Sequence, residues 1–453
     1  MYKVGLRKLI MPVMDLQAHT THLKSLQFLE RSQWLRPSEL RKLQNKRLRA
    51  LLNHAYETVP FYRRRFKDAA LKPDDIREVE QLNKLTPLTK AEIRKNINEI
   101  VSTQIPRSYL TPFATGGSTG TPLKFFKDRR TTSWAYAATS RSYQWAGLDL
   151  GDKYLILWSS PFDLSVSQEL RGFLHQRLMR YQIVPSSQMS DSSMTRLVEI
   201  IRRYKPKALK GYASVLILFA RFLSQHRINA LNLHSVISTA ETLFPADRKL
   251  MEEQFGCRVY DTYGSREIAL MAGECEEHQG LHVSAETVAL EFVEENENVA
   301  PGELGQILVT DLQNYGMPLI RYSIGDAGRP SDAVCSCGRG LPMIESIDGR
   351  VTDFIRASDK RYIPGPMFIY LFSDLPVRKY QIIQTELNKL TVKIVKDSGY
   401  SSSDDYKIMS RIKQIVGSEF AIDIDHVRSI LPSSRSGKFL AVISKIPDFG
   451  SSG

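Results

Sequence analysis

Apolar residues recur at helical spacing between residues 35 and 59, where Leu48, Leu51, Leu52, Ala55 and Val59 share one side of a pattern that Pro60 ends. Arg41, Lys42, Lys46, Arg47 and Arg49 lie between them, so the run predicts a helix with a buried stripe and a solvated basic face. Thr89 stands three residues before Glu92, a spacing at which each side chain caps the other's backbone N–H and starts another helix. A helical pattern over residues 130–146 stops at Gly147, and "KYLILWSS" behind it predicts a buried strand. The strand-like runs "YQIV", "KALKGY", "SVIST" and "RVYDTYG" then alternate with helical stretches near residues 166–180, 194–203, 215–225 and 246–255. Alternation of this kind predicts an α/β fold with a mostly parallel sheet.

Past Gly280 the texture changes to short β-rich runs, "VALEFVE", "GELGQILVT" and "PLIRYSIGD", separated by Gly and Pro, which suggest a smaller sheet or barrel completing the large domain. The last hundred or so residues read strand, strand, helix, strand ("KYQIIQTE", "LTVKIVK", "SDDYKIMSRIKQIVG", "IDIDHVRSI"), the size of a small α+β domain joined near residues 349–353. With 453 residues the chain exceeds the usual size of one domain, in keeping with this division.

The formal charge of +13 fits anionic small molecules, nucleic acid or an anionic membrane surface, and does not choose among them. Arg63, Arg64 and Arg65 keep a polyanion-binding face open as a minority reading. The opening "MYKVGLRKLIMPVMDL" is interrupted by Pro12 and Asp15 and carries no small-residue cleavage site, and no window approaches the roughly 20 apolar residues of a membrane span. The expectation is a soluble cytoplasmic protein. Four cysteines in so long a chain are too few for a disulfide scaffold.

The densest chemical signal is "FATGGSTGTPLKFFKD". Gly116, Gly117 and Gly120 permit positive φ and close approach of backbone amides to an anion, and Thr115, Ser118, Thr119 and Thr121 add hydroxyl donors. It is neither a Walker A sequence, because Thr121 and Pro122 follow Gly120, nor a GxGxxG dinucleotide turn. Standing alone, it could equally be a solvated turn with no ligand.

Together with five later stretches in the same order, "ATGGSTGTPLKF" resembles the phosphate loop of the adenylate-forming superfamily, the acyl-CoA ligases, adenylation domains and luciferases. "STAETLFP" is similar to the loop that lines adenine, "DTYGSRE" to the Tyr-Gly-x-x-Glu element, and "RYSIGDAG" to the segment whose Asp contacts ribose. "DGRVTDFI" resembles the Arg-bearing hinge and "SRSGKFLAV" the segment with the catalytic lysine. "YETVPFYRRRF" and "LNKLTPLTKAEIRKN" look like the N-terminal signature of the phenylacetate-CoA ligase group, especially its CapK-like members associated with capsule and exopolysaccharide synthesis.

The resemblance implies an adenylate-forming domain over residues 1–349, a hinge at 350–353 with Thr352 as pivot, and a C-terminal lid over 354–453. It implies ATP as cosubstrate: Thr115, Gly116, Gly117, Ser118, Thr119, Gly120 and Thr121 on the β- and γ-phosphates, and Glu267 on Mg²⁺. Tyr263 in its Tyr-Gly pair with Gly264 would stack on adenine, Ala240 and Glu241 would edge the base, Asp261 would lie near its amine, and Asp326 and Arg350 would hold ribose. Lys438 would reach the α-phosphate and donor carboxylate, where a cation lowers the barrier. Arg266 departs from the hydroxyl residue many relatives carry there, and could either serve the α-phosphate or pair with Glu267.

Cys275 and His278 form C-x2-H, and Cys335 and Cys337 form C-x-C, a Cys₃His set suited to structural zinc. His282 is the competing imidazole, and Cys257 reads as strand core. The bland alternative is three unrelated thiols and a surface histidine.

The favoured function is ATP-dependent activation of a small carboxylic acid and its transfer to coenzyme A, an amine or a sugar hydroxyl. Its acyl pocket would draw on Trp158, Phe162, Tyr212 and Ser214. Alternatives are a catabolic aryl-CoA ligase, adenylylation of a deazaflavin hydroxyl, or a non-enzymatic nucleotide- or polyanion-binding protein. Against the last, Glu267, Asp326, Arg350 and Lys438 occur together. No nucleic-acid partner is expected, membrane-surface contact stays open, and the oligomeric state is not legible.

Overall fold

The computed structural model describes residues 2–115, 123–158, 170–186, 189–229, 231–350, 354–356, 362–364, 368, 371–372, 375–430 and 441–446. Residues 116–121 of the glycine loop, Phe162, Thr352 and Lys438 therefore lie outside the described residues, as does the side chain of Arg350.

The N-terminal layer is helical: α1 (His22–Ser32), α2 (Pro37–Thr58) and α3 (Pro60–Asp68). Leu48, Leu51, Leu52, Ala55 and Val59 are all buried, so the predicted stripe is the face α2 packs inward. Arg41, Lys42, Lys46 and Arg49 are exposed, so the basic face is solvated as its pattern predicts, and Arg47 alone is drawn in. Arg47 lies over the rings of Trp134 (4.3 Å) and Phe28 (4.9 Å) and donates to the Glu286 carbonyl; burial lowers its pKa to about 10. Arg63, Arg64 and Arg65 are likewise engaged within the fold, on the carbonyls of Tyr56 and Glu57, the Glu99 carboxylate, and Glu92 with Thr86. Thr89 and Glu92 make the predicted capping box at the short helix Lys90–Lys95.

A hairpin of β1 (Leu110–Ala114) and β2 (Lys124–Asp128) brackets the glycine loop. Asp128 then caps α4 (Arg129–Trp145), accepting from the Thr131 N–H at 2.7 Å. Next come β3 (Tyr154–Trp158), α5 (Leu170–Met179), β4 (Tyr181–Pro185), α6 (Asp191–Tyr204), β5 (Ala208–Tyr212) and α7 (Ala213–Gln225). The series ends with β6 (Ser235–Thr239), α8 (Pro245–Phe255) and β7 (Arg258–Ser265). These strands lie parallel in the order β4-β3-β5-β6-β7, as the alternation predicts. Leu155, Leu157, Leu209, Val236 and Val259 point from one face into an apolar core with α6, α7 and α8. Cys257 sits just before β7, half-buried against that core.

Beyond β7 come β8 (Ala269–Glu274), β9 (Leu281–Val283), β10 (Val288–Glu294), β11 (Glu297–Asn298), β12 (Gly305–Asp311), β13 (Tyr322–Ser331) and β14 (Met343–Arg350). Rather than a separate sheet or barrel, they continue the same ladder antiparallel, giving twelve strands in the order β11-β10-β12-β13-β14-β9-β8-β7-β6-β5-β3-β4. A second core fills the space between this half and the helical layer. Two wholly buried arginines tie the parts together: Arg141 of α4 reaches Glu286 at 2.6 Å, and Arg321 reaches Glu291 at 2.9 Å and the Leu85 carbonyl at 2.6 Å.

The C-terminal block holds β15 (Phe354–Arg356) paired with β16 (Tyr362–Pro364), and a four-stranded sheet of β17 (Val377–Glu386), β18 (Lys389–Lys396), β19 (Ala421–His426) and β20 (Val442–Ser444). The order is β19-β18-β17-β20, with α9 (Ser402–Val416) supplying Ile408, Ile412 and Val416 to a core of its own. The α+β character predicted for this block is what the chain forms. Among the described residues no helix is long and apolar enough to cross a membrane.

Candidate active site and candidate metal centre

Open parallel sheets take ligands at the carboxyl ends of their strands, where the chain leaves the ladder and backbone groups are free. Ala240 and Glu241 follow β6 directly, and Ala240 holds a φ of +66°, a conformation that non-glycine residues adopt only under constraint. Glu241 is fixed by the Ser214 N–H, which donates to its Oε2 at 2.8 Å from the start of α7. Asp261, Tyr263 and Gly264 lie in β7, the seam between the parallel and antiparallel halves. Burial and the neighbouring Glu274 push the Asp261 carboxyl up to about 7, against the pull of Arg248. Gly264 is required: a Cβ there would stand 2.5 Å from the Ala269 carbonyl oxygen, at a shift of register between β7 and β8.

Tyr263 donates from its hydroxyl to Asp326 Oδ2 at 3.0 Å, and Asp326 stands opposite Arg350 in the β13–β14 ladder. Three residues that the motifs assign to adenine and ribose are thus neighbours, although 87 positions separate the first from the last. Glu267 is buried and accepts from the Tyr322 hydroxyl at 2.8 Å. Its second carboxylate oxygen takes no hydrogen bond among the described residues, which leaves a hard oxygen ligand of the kind Mg²⁺ prefers. Arg266 donates to the Ala114 carbonyl at the base of the loop at 3.2 Å. Thr115 closes the base of that loop: its N–H donates to the Leu123 carbonyl and its hydroxyl accepts from the Leu123 N–H, each at 3.0 Å.

Two participants escaped the sequence reading. Lys127 looks like one more loop cation, yet it is buried beside the stacked rings of Phe113 and Phe125, 5.5 and 5.7 Å from their centres, and its ammonium donates to the Arg266 carbonyl at 2.9 Å. Burial lowers its pKa, opposed by Asp311 and Glu267. It therefore anchors the strand leaving the glycine loop to the Arg266–Glu267 element. Tyr322 reads as core from its neighbours in "LIRYSIG"; only its hydroxyl, bonded to Glu267, distinguishes it.

At the carboxyl ends of β3 and β5, Trp158 and Tyr212 stack with ring centres 4.5 Å apart at 22°. Lys210, two residues before Tyr212, donates to the Tyr143 hydroxyl of α4 at 2.7 Å. Ser214 is exposed and faces Glu241 through its backbone.

The four-ligand cluster differs from its predicted membership. Cys275, Cys335 and Cys337 come together, but the imidazole that joins them is His282, with all four ligand atoms within 4.8 Å of one another. His278, at a φ of +52°, turns its ring over Tyr260, with Nδ1 3.2 Å from Glu274 Oε2 and 3.4 Å from Arg248. A tetrahedral zinc with Zn–S of about 2.3 Å would set its sulfurs roughly 3.8 Å apart. The Cys275 and Cys335 sulfurs stand 3.7 Å apart, and His282 Nε2 lies 3.4 Å from the Cys337 sulfur. Burial, aided by Arg339, lowers the His282 pKa to about 4, so the ring is the neutral imidazole that a metal ligand must be. Burial raises the Cys275 and Cys335 thiols; for Cys337 burial is outweighed by the Arg339 N–H and guanidinium, which hold that thiol below its usual value.

Comparison with known proteins agrees with this architecture. Residues 41–315, more than half of the chain, match the family model described as AMP-binding enzyme, and residues 355–445 match the CapK C-terminal domain. Protein CapK of Staphylococcus aureus is 24% identical over 417 residues, covering 90% of each chain. The phenylacetate-coenzyme A ligase of Escherichia coli (strain K12) is 27% identical over 400 residues, covering 84% of this chain and 89% of the relative. Among solved structures, 2-hydroxyisobutyryl-CoA ligase in the postadenylation state superposes with a TM-score of 0.71 at 20% identity, over 91% of this chain and 90% of that one, a likeness of fold. The chain belongs to the AMP-binding enzyme family, as an adenylate-forming, AMP-forming ligase similar to CapK and the phenylacetate-CoA ligases.

Proposed function

We propose that the protein joins a small carboxylic acid to AMP and then passes the acyl group to coenzyme A, with the nucleotide held across the β7–β13 seam. The observation that carries this reading is the hydrogen bond from Tyr263 to Asp326 beside the Asp326–Arg350 pair. A side-chain plane for adenine and acceptors for ribose hydroxyls thereby meet at the carboxyl ends of the parallel strands. In this scheme residues 115–121 cradle the β- and γ-phosphates, Ala240, Glu241 and Asp261 line the base, and Arg266 lies near the α-phosphate. The acid's carboxylate attacks the α-phosphorus, the bond to the β-phosphate bridging oxygen breaks, and pyrophosphate leaves. The coenzyme A thiol then attacks the carbonyl and AMP departs. Lys438 brings a cation to the negative charge of the first step.

Glu267, braced by Tyr322, would hold Mg²⁺, whose chemistry is to neutralise phosphate charge. Cys275, His282, Cys335 and Cys337 would hold zinc with no open position, a structural role. The hinge at residues 350–353 would let the lid of residues 354–453 serve both half-reactions. A second reading of the acceptor, an amine or hydroxyl in capsule or exopolysaccharide synthesis, follows from the resemblance of "YETVPFYRRRF" and "LNKLTPLTKAEIRKN" to CapK-like members.

Acid-dependent ATP–pyrophosphate exchange, run over aryl, aliphatic, amino and sugar acids with and without coenzyme A, tests both. Exchange with a defined acid is the expected result, and coenzyme A consumption separates the acceptors. Lys438→Ala should abolish exchange in a chain with unchanged circular dichroism; pyrophosphate release at the wild-type rate would overturn its role.

A further inference from the structure

Parallel pairing puts register partners on one face, so Ile156, Lys210 and Ile237 form one row across β3, β5 and β6; Trp158 and Tyr212 lie two positions further toward the carboxyl ends, where their rings stack. Lys210 is an anomaly in this row. Its neighbours are apolar, it is half-buried, and α4 lies over it with Tyr143. Among the described residues no carboxylate stands within ion-pair distance of its ammonium; the single hydrogen-bond partner is the neutral Tyr143 hydroxyl at 2.7 Å. By contrast Lys207, on the same segment, pairs with Asp152 at 3.2 Å. An ammonium partly withdrawn from water and given only a neutral partner gains from an anionic or acceptor group that joins it.

The surroundings tell what that group belongs to. The ammonium sits 5.2 Å from the Tyr143 ring centre and 5.7 Å from that of Trp158, and Trp158 stacks on Tyr212. Since the Tyr143 oxygen accepts from Lys210, the phenolic proton is left to donate, and no acceptor takes it among the described residues. The pair therefore offers two hydrogen-bond donors and one positive charge, framed by flat apolar surfaces. Tyr212 is two residues from Ser214, whose N–H fixes Glu241 beside the nucleotide site. A molecule lying along the Trp158–Tyr212 rings would have one end near the nucleotide and the other at Lys210.

We propose that Lys210 and Tyr143 recognise a second oxygen-bearing group on the acyl substrate, so that the acid activated here is bifunctional, carrying a hydroxyl, oxo or second carboxylate function remote from the reacting carboxylate. This rests on the acid-activating reading above. Charge-assisted bonds of this kind discriminate against analogues that lack the acceptor, because the site's own donors are then left unpaired.

The test uses matched acids, glutarate with pentanoate and 4-hydroxyphenylacetate with phenylacetate, on the full chain and on Lys210→Met, Lys210→Arg and Tyr143→Phe. Exchange kinetics and calorimetric binding in the presence of ATP are both recorded. The wild type should favour the polar member of at least one pair by roughly tenfold or more in kcat/KM. Lys210→Met should erase that preference through KM with kcat nearly kept, Lys210→Arg should restore much of it, and Tyr143→Phe should weaken it. Preference for the apolar member of both pairs, or a ratio unmoved in Lys210→Met and Tyr143→Phe, overturns the proposal. Polar-selective binding that Lys210→Met removes, in a protein that exchanges no acid, would uphold the recognition site and overturn the activity. Absence of binding by all four acids would overturn the site.

Discussion

A side chain at Gly264 has no room, because the Ala269 carbonyl lies 2.5 Å from where its Cβ would be. Gly264→Ala should cost about 1–3 kcal/mol in urea unfolding, as strand separation or overpacking does in other cores, and should weaken nucleotide binding at Tyr263 next to it. Asp311 makes a different case. Its Oδ1 accepts from the Gln313 N–H, and burial pushes the carboxyl up to about 6 against the pull of the Gln313 and Asn314 backbone and of Lys127. The folded chain then holds this proton more tightly than the unfolded one, so the group's effect on stability falls as pH rises from about 4 to about 6. Urea midpoints across that window should drop relative to those of Asp311→Asn, with the two curves parallel below it. At this scale the sequence was least legible. C-x2-H promised His278, but the tight turn after β8 sends that ring to Glu274, while β9 carries His282 inward beside Trp145. Nothing in "KFFKD" marks Lys127 as buried; that follows from β2 pairing with β1 beneath the loop.

Elements were legible wherever one period dominated. The stripe of α2, the cap at Thr89 and the five parallel strands appear at or within a few residues of their predicted places because each pattern is satisfied locally. The β-rich run was legible as strands, but its partners were not: β9 pairs with β14 some sixty residues later, and no local signal fixes that register. The four-ligand cluster joins the same two segments, the end of β8 with β9 and the stretch before β14. If zinc holds them, purified protein should contain about one equivalent, bound by three thiolates and one imidazole. Metal analysis should find it retained in His278→Ala and lost in His282→Ala, and chelation should lower the melting temperature of the wild type but not of His282→Ala.

For the whole molecule, the order of six motifs along the chain carried more than composition or charge. The net +13 fitted several kinds of anion without choosing among them, and Arg63, Arg64 and Arg65, which kept a polyanion-binding face open, each bond to groups of this chain. The C-terminal core shares no residue with the two cores of the large sheet. Scanning calorimetry should therefore resolve two transitions, with ATP moving the larger one upward; a single transition at every scan rate would count against independent units.

The twelve-stranded ladder also has a history written into it. The core under β3, β5, β6 and β7 draws only on residues 155–259, with neighbours close in the chain. The core beneath the helical layer unites residues from Leu48 to Ile344, and Asp326 meets Arg350 only in β14. On the ribosome, then, the N-terminal helices must wait with their apolar stripes exposed while the parallel half closes without them. A nascent chain in that state has its ribose-binding edge still unmade, and would be the form that chaperones hold and proteases cut.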